Sequence, residues 1–312
     1  MKNDYLVTIA IPTYNGTYLK EAIQSAVNQT YKNIEIVIVN DCSPHDITPI
    51  VDSFKDDRIR YYVNEKNIGG KDLVAQWNKC LSLAKGHFFC LLCDDDIYDP
   101  QFVEVLLNLT ERYPNVDVFR ARAAIIDKDG HMTDIYPSSP EYEAVYDYMW
   151  QKWKGTRYQT ISEILVKTSR AREVGGYVSL PRAWGSDSIS VFLFGMQNGI
   201  ASTTHILTRF RMSGENISSN FKKDSREKML AAQLYREKIY EIISGCQDAD
   251  IKMLLLKYER TEHQQRVLNI LKRCSLKDFI WIICHYHIKL KLVLKACCER
   301  MIKTLSSGCK WL

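Results

Sequence analysis

Three consecutive carboxylates, Asp94-Asp95-Asp96, close the apolar segment His87 to Cys93. Adjacent carboxylates repel one another and are expensive to bury unpaired, so such a run is either well solvated or neutralised by a cation. Hard oxygen ligands suit Mg²⁺ or Mn²⁺, which use one or two protein carboxylates and fill their other positions with water and phosphate oxygens. The plain alternative is an acidic loop ahead of a helix beginning after Pro100, because acidic residues favour helix N-termini. Taken alone, the run leaves both readings open. Cys90 and Cys93 have the spacing of a redox or zinc pair, but residues three apart on a strand point to opposite faces, and both are read as small buried hydrophobes. His285 and His287, two apart on a helix, share no face and are read as structural.

The elements that must position the acidic run are legible in the hydrophobic pattern. Leu6 to Ile11 reads as a strand, followed by a helix carrying Leu19, Ala22, Ile23, Ala26 and Val27 on one face. Ile34 to Val39 suits a strand buried on both sides, and Asp46 to Phe54 reads as a helix. Ile59 to Val63 is the third strand and Lys71 to Ala84 the third helix, with Leu73, Trp77, Leu81 and Ala84 on its stripe. The fourth strand is His87 to Cys93, and past Asp99-Pro100 comes a helix with Phe102, Val105, Leu106 and Leu109 facing inward. Four strand and helix alternations require parallel pairing with crossover helices, hence a doubly wound α/β sheet over roughly residues 4–125. Beyond Ile126 the pattern weakens, with a hairpin turn at Lys128-Asp129-Gly130, a helix from Ser186 to about Gln197 and a strand near Ile200 to Phe210 returning to the sheet. Residues 224–312 are mostly helical by pattern.

Length and charge bound the rest. A chain of 312 residues with 46% hydrophobic and 25% charged residues has the balance of a soluble globular protein, of one large domain plus an appendage or of two small domains. Its net charge of +5 is unevenly spread. From Lys252 onward there are 13 Lys or Arg against 4 Asp or Glu, which is +9 and leaves −4 for the first 251 residues. The ten cysteines are scattered without framework spacing, which favours a reducing cytosol. The apolar stretch Leu6 to Ile11 is too short for a signal peptide, and no run is long enough to span a bilayer.

In an open parallel sheet, ligands bind outside the carboxyl ends of the strands. Here those ends carry Pro12-Thr13-Tyr14-Asn15, Asn40-Asp41-Cys42-Ser43, Asn64 with Asn67-Ile68-Gly69-Gly70, and Asp94-Asp95-Asp96, all converging on one edge. The arrangement resembles the family 2 glycosyltransferases with the GT-A fold. The resemblance is carried by Val7 to Asn15, by Gln29-Thr30-Tyr31, by Glu35 to Ser43, and by Gly86 ahead of the fourth strand and its acidic run, in that order. It spans about 125 residues strongly and another 90 weakly.

The resemblance implies a GT-A, Rossmann-like mixed sheet with a helical C-terminal extension. The glycosyltransferase domain is expected over 1–220, with residues 1–125 binding the nucleotide and 126–220 the acceptor, and a basic helical region over 221–312. The resemblance further implies that Pro12, Thr13 and Tyr14 cradle the base and ribose of a nucleoside diphosphate sugar, and that Asp41 accepts the uracil imide N–H. Lys71 is expected near the nucleotide. Asp94 is expected at the ribose or a metal-bound water, and Asp95 on the Mn²⁺ or Mg²⁺ that bridges the diphosphate, with Asp96 as the alternative ligand. Asp187, in Trp184-Gly185-Ser186-Asp187-Ser188, is the expected catalytic base, and Arg211 is expected to reach the diphosphate. Three positions depart from the family pattern: Cys93 at the start of the acidic motif, Ser186 where many relatives carry Glu, and Ser213 where they carry His.

The implied reaction is inverting transfer of a sugar, from a UDP-sugar first of all, to a hydroxyl of a glycan or lipid-linked acceptor, as in surface polysaccharide biosynthesis. A nucleotidyltransferase or dinucleotide-dependent oxidoreductase would call for a Gly-rich phosphate loop, which the single Gly16 does not supply. A catalytically inactive, membrane-associated scaffold is the non-enzyme alternative, favoured by the three departures. In the basic C-terminal region, Phe279, Ile283, Tyr286, Leu290, Val293, Cys297 and Met301 form an apolar stripe flanked by Lys291, Lys295 and Arg300. That stripe either lies on an anionic membrane at the cytoplasmic face or packs on the catalytic domain. Nucleic acid is not expected as a partner, because no recognised motif accompanies the charge.

Overall fold

The computed structural model describes residues 4–214 and 223–308. The chain forms two compact units, one of Met1–Ser179 with Ser186–Gly214 and the other of Leu180–Gly185 with Glu215–Leu312. In the first unit the opening run of elements follows the hydrophobic pattern: β1 (Val7–Thr13), α1 (Leu19–Val27), β2 (Ile34–Asn40), α2 (Thr48–Asp52), β3 (Ile59–Val63), α3 (Leu73–Leu83) and β4 (Phe88–Leu91). Every residue of β2 and β4 is buried, which is why neither shows polar alternation. The second helix is shorter than its apolar pattern, because the Asp46 carboxylate accepts from Thr48 N–H and Pro49 occupies the first turn. The third starts at Leu73, where Asp72 accepts from the Val74 and Ala75 amides as an N-cap. Gly86, ahead of β4, permits a close approach: a Cβ there would lie 2.6 Å from Thr8 N.

The remaining elements are β5 (Ile97–Tyr98), α4 (Phe102–Arg112), β6 (Val118–Ile126), β7 (Met132–Ile135), β8 (Tyr142–Glu143), α5 (Val145–Trp153), β9 (Ile164–Lys167), α6 (Thr168–Glu173), α7 (Ser186–Gly195) and β10 (Ile200–Arg211). They extend one sheet in the order β3-β2-β1-β4-β9-β6-β10-β5. Strands β3, β2, β1 and β4 run parallel, as alternation required. Strand β9 then inserts antiparallel between β4 and β6, so the sheet is mixed. The expected hairpin turn joins β6 to β7, with Gly130 in the left-handed region at φ 88. The expected return strand is β10, parallel to β6. One core of Val, Ile, Leu and Phe from β1, β2, β4, α1 and α4 lies beneath this sheet. Gln29, fully buried, ties α1 to the far side of the acidic loop: its Nε2 donates to Asp99 O at 2.8 Å and its Oε1 accepts from Val103 N–H at 3.0 Å.

The second unit is built on α8 (Ser225–Ser244), α9 (Ala249–Arg273), α10 (Leu276–His285) and α11 (Leu290–Gly308). Its core joins Met229, Ala232, Val267, Leu268, Leu271, Phe279, Ile282 and Ala296. The apolar stripe read from the sequence divides: Phe279 is buried and Ile283, Tyr286, Val293 and Cys297 pack against this core, whereas its Leu290 and Met301 face outward. Leu276, Ile280, Leu294 and Ile302 join Leu290 and Met301 on the outside, each more than half exposed. Among the described residues, no helix is long and apolar enough to cross a membrane.

Candidate active site

The donor side of the site is organised by the ends of β1, β2 and β4. The Thr13 hydroxyl donates to Asp94 Oδ2 at 2.7 Å, and the Tyr14 amide donates to the same oxygen at 3.2 Å. Thr13 O in turn accepts from the Asp41 amide at 2.9 Å, so one residue fixes both acidic positions. Pro12 is half-buried, and Tyr14 is exposed beside them. Burial pushes the Asp94 carboxyl up, opposed by those two hydrogen bonds. Asp41 is buried, and its carboxylate already organises the following loop: Oδ1 accepts from Asn64 Nδ2 at 2.7 Å and Ile68 N–H at 2.8 Å, and Oδ2 from Gly69 N–H at 2.7 Å. Gly69 is required for that contact, since a Cβ there would meet Asp41 Oδ2 at 2.9 Å. Lys71 lies exposed at the end of the same loop.

The other two carboxylates differ sharply. Asp96 is fully buried, with Ser162 Oγ donating to Oδ2 at 2.5 Å and the Arg211 amide to Oδ1 at 2.9 Å. Asp95 is half-buried. Burial and the Asp94 charge push its carboxyl up to about 6, and burial together with Asp95 holds Asp96 well above the usual carboxylate range. Ligand atoms of Cys93, Asp95 and Asp96 lie within 4.8 Å of one another. The Cys93 thiol is pushed far up by burial and by the neighbouring carboxylates, so it remains protonated. A divalent cation fits this donor set: closely spaced carboxylates whose burial and mutual repulsion raise their pKa values are what a hard cation relieves. Asp95 is the more exposed of the two carboxylates in this group, whereas each oxygen of Asp96 accepts a hydrogen bond that braces the loop.

Arg211 departs from the expectation that it reaches a diphosphate. Its side chain is 1% exposed, and its guanidinium donates to Asp95 O at 2.8 Å, Lys128 O at 3.2 Å and Glu21 Oε2 at 2.7 Å while lying 4.1 Å over the Tyr18 ring. A planar fork surrounded by protein acceptors anchors the acidic loop to the β6–β7 turn and α1.

Asp187 sits in the first turn of α7, where Gln159 Nε2 donates to its Oδ2 at 3.4 Å. Its link to the acidic run is the segment ahead of β9, which has no periodic pattern of its own. The Ser162 hydroxyl donates to Asp96, while its oxygen accepts from the Cys93 amide at 3.1 Å. Glu163, fully buried, pairs with Arg120 of β6, whose guanidinium also donates to Tyr158 O at 2.5 Å. The Tyr136 phenol is pushed up by burial first and then by the charges of Glu163, Asp96 and Asp187. Arg120, Tyr136, Gln159, Ser162 and Glu163 carry no motif. A Ser-Glu pair opening the apolar run Ile164 to Val166, and two arginines within the strand Val118 to Ile126, are the signals that mark them.

The sequence model of glycosyl transferase family 2 matches residues 8–167, half of the chain. The chain belongs to that family. An uncharacterized glycosyltransferase of Rickettsia typhi is 40% identical to this family 2 chain over 128 residues, 40% of this chain and 39% of its own. The chain thus spans about two fifths of that relative's length. The crystal structure of Staphylococcus aureus TarS 1–349 in complex with UDP-GlcNAc superimposes with a TM-score of 0.64 at 17% identity, covering 88% of this chain and 80% of that one. The mannosyltransferase PcManGT of Pyrobaculum calidifontis, in complex with GDP-Man and Mn²⁺, gives 0.57 at 13% identity, covering 95% and 87%. At those identities the likeness is one of fold, and both neighbours share the GT-A architecture of this family 2 chain.

Proposed function

We propose that the chain is an inverting glycosyltransferase that moves a sugar from a nucleoside diphosphate sugar, a UDP-sugar first of all, to a hydroxyl of a glycan or lipid-linked acceptor. The observation that carries this reading is the tie from Thr13 and Asp94 through Asp96 and Ser162 to the segment whose Gln159 holds Asp187. One edge of the sheet then offers a donor side and a proton acceptor. Pro12, Thr13 and Tyr14 hold the base and ribose, with Lys71 nearby. Asp41 Oδ2 accepts only one hydrogen bond from the protein and has capacity for the uracil imide N–H. Residues 1–125 bind the nucleotide, 126–220 the acceptor.

The acceptor oxygen bonds to the anomeric carbon as the bond to the diphosphate oxygen breaks, which inverts that carbon, and the electron pair leaves with the diphosphate. Asp187 takes the proton released by the acceptor hydroxyl, as a general base within hydrogen-bond reach. A bound Mn²⁺ or Mg²⁺ supplies Lewis-acid neutralisation of the diphosphate, and Asp95, with Asp96 behind it, is the residue to hold it. Complexes of neighbours with UDP-GlcNAc and with GDP-Man and Mn²⁺ support a sugar-nucleotide donor and a metal, while leaving the base to experiment.

Through its basic helical region the enzyme works at the cytoplasmic face of an anionic membrane. The outward residues Leu276, Ile280, Leu290 and Leu294 support this, interleaved with Lys277, Lys289, Lys291 and Lys295. Metal-dependent hydrolysis of UDP, dTDP and GDP sugars tests the donor. Turnover of UDP-sugars with Mn²⁺ is expected. Hydrolysis of GDP sugars alone would overturn the role given to Asp41, and UDP binding without turnover of any donor would establish the inactive scaffold instead.

A further inference from the structure

Tyr158 stands out in the segment ahead of β9. It is 51% exposed, yet its carbonyl is tied to a buried ion pair. Arg120, 3% exposed, donates to the Tyr158 carbonyl at 2.5 Å and pairs with the fully buried Glu163 at 2.6 Å. The next residue, Gln159, accepts from the Tyr148 hydroxyl at 2.9 Å and donates to Asp187. Against it packs the buried Tyr136 ring, 5.5 Å away between centroids and inclined at 42°.

We propose that Tyr158, backed by Tyr136, is a stacking platform for a pyranose ring of the acceptor. A sugar ring has an apolar C–H face that covers an aromatic surface well, and a fixed aromatic offers that area at little conformational cost. The strand order separates this platform from the donor. Asp41 and Thr13 end β2 and β1 on one side of the acidic loop after β4, whereas Tyr158 precedes β9 and Tyr136 follows β7 on the other. A nucleotide base held by Asp41 therefore lies across the acidic run from Tyr158, and the partner of Tyr158 is the molecule whose hydroxyl Asp187 deprotonates. The inference rests on the transferase reading.

The test uses the full chain. Donor hydrolysis by water, which needs no acceptor, is measured beside binding of methyl β-glucoside, methyl β-galactoside and methyl β-N-acetylglucosaminide by saturation-transfer NMR in the presence of UDP and Mn²⁺. Tyr158→Ala is expected to weaken binding of the glycoside that wild type prefers by about tenfold while donor hydrolysis stays within about twofold. Tyr158→Phe and Tyr158→Trp, which keep an aromatic face, are expected to retain binding. Unchanged binding in Tyr158→Ala, equal loss of binding in Tyr158→Phe, or no glycoside binding by a wild type that hydrolyses donor would each overturn the platform. A wild type that hydrolyses no donor overturns the transferase reading, and the platform with it.

Discussion

The acids of this site divide their work by burial. Asp187, the proposed general base, is half-buried at a helix start and accepts a long hydrogen bond from Gln159. Replacing it by Asn is expected to lower kcat by about 10²–10⁴-fold with little change in donor affinity, checked by steady-state transfer and by UDP titration. Asp95→Asn is expected to abolish the Mn²⁺ dependence of turnover, and UDP still binds because Thr13 and Asp41 are untouched. Arg120 represents the opposite case. Its ion pair with Glu163 is closed to solvent, and Glu163 Oε2 has no hydrogen-bond partner among the described residues, so Arg120→Met strands a buried charge. A loss of about 3–5 kcal/mol in urea unfolding is expected, the cost typical of breaking a buried pair from one side.

At the scale of elements, the loops after the strands do the positioning, and one of them is strained. Cys42, directly after Asp41, has φ 56, a left-handed conformation that a Cβ disfavours. Its side chain is exposed, and its Sγ meets Glu65 O in one long contact at 3.9 Å. Cys42→Gly is therefore expected to raise stability by about 1 kcal/mol, read as a higher urea midpoint at unchanged slope. Arg182 and Ala183 repeat the feature in the turn just before α7, both with φ above 50, where Arg182 pairs with Asp224 at 3.1 Å within the helical unit. The acidic loop itself is unstrained. It is secured by donors from β1, β10 and the segment ahead of β9, so its geometry depends on three segments that are far apart in the chain.

For the whole molecule, charge and titration are uneven between the ends of the chain. His263 in α9 is held neutral by burial and by the charges of Arg236 and Arg266, which lower its pKa to about 4, and its Nδ1 has no hydrogen-bond partner among the described residues. A folded-state pKa below the unfolded value of about 6.5 means that the unfolded chain takes up the proton first as pH falls. Stability from this group is complete above pH about 6.5 and is lost progressively down to about 4. Wild type is expected to lose Tm between pH 7 and 5, and His263→Gln to lose less over the same range. The +9 carried from Lys252 onward is expected to bring the chain to vesicles containing phosphatidylglycerol and not to neutral ones, with Leu290→Asp and Leu294→Asp together releasing it in co-sedimentation.

Periodicity and end-of-strand residues determined the first half of the fold, because a strand buried on both faces and a helix with one apolar face each write their pattern locally. That is why β1 to α4, the parallel pairing and the edge on which Thr13, Asp41 and Asp94 meet are legible in the residues alone. The placement of β9 between β4 and β6 was decided only in three dimensions. A four-residue apolar strand has no local signature of its partners, and the buried hydrogen bonds of Ser162, Glu163 and Arg120 join residues as much as 66 apart. The same holds for the C-terminal helices, where an amphipathic stripe states that one face is apolar but not what covers it. For Arg211 the sequence supplied the charge, and the fold surrounded it with the carbonyls and the carboxylate that decide what that charge does.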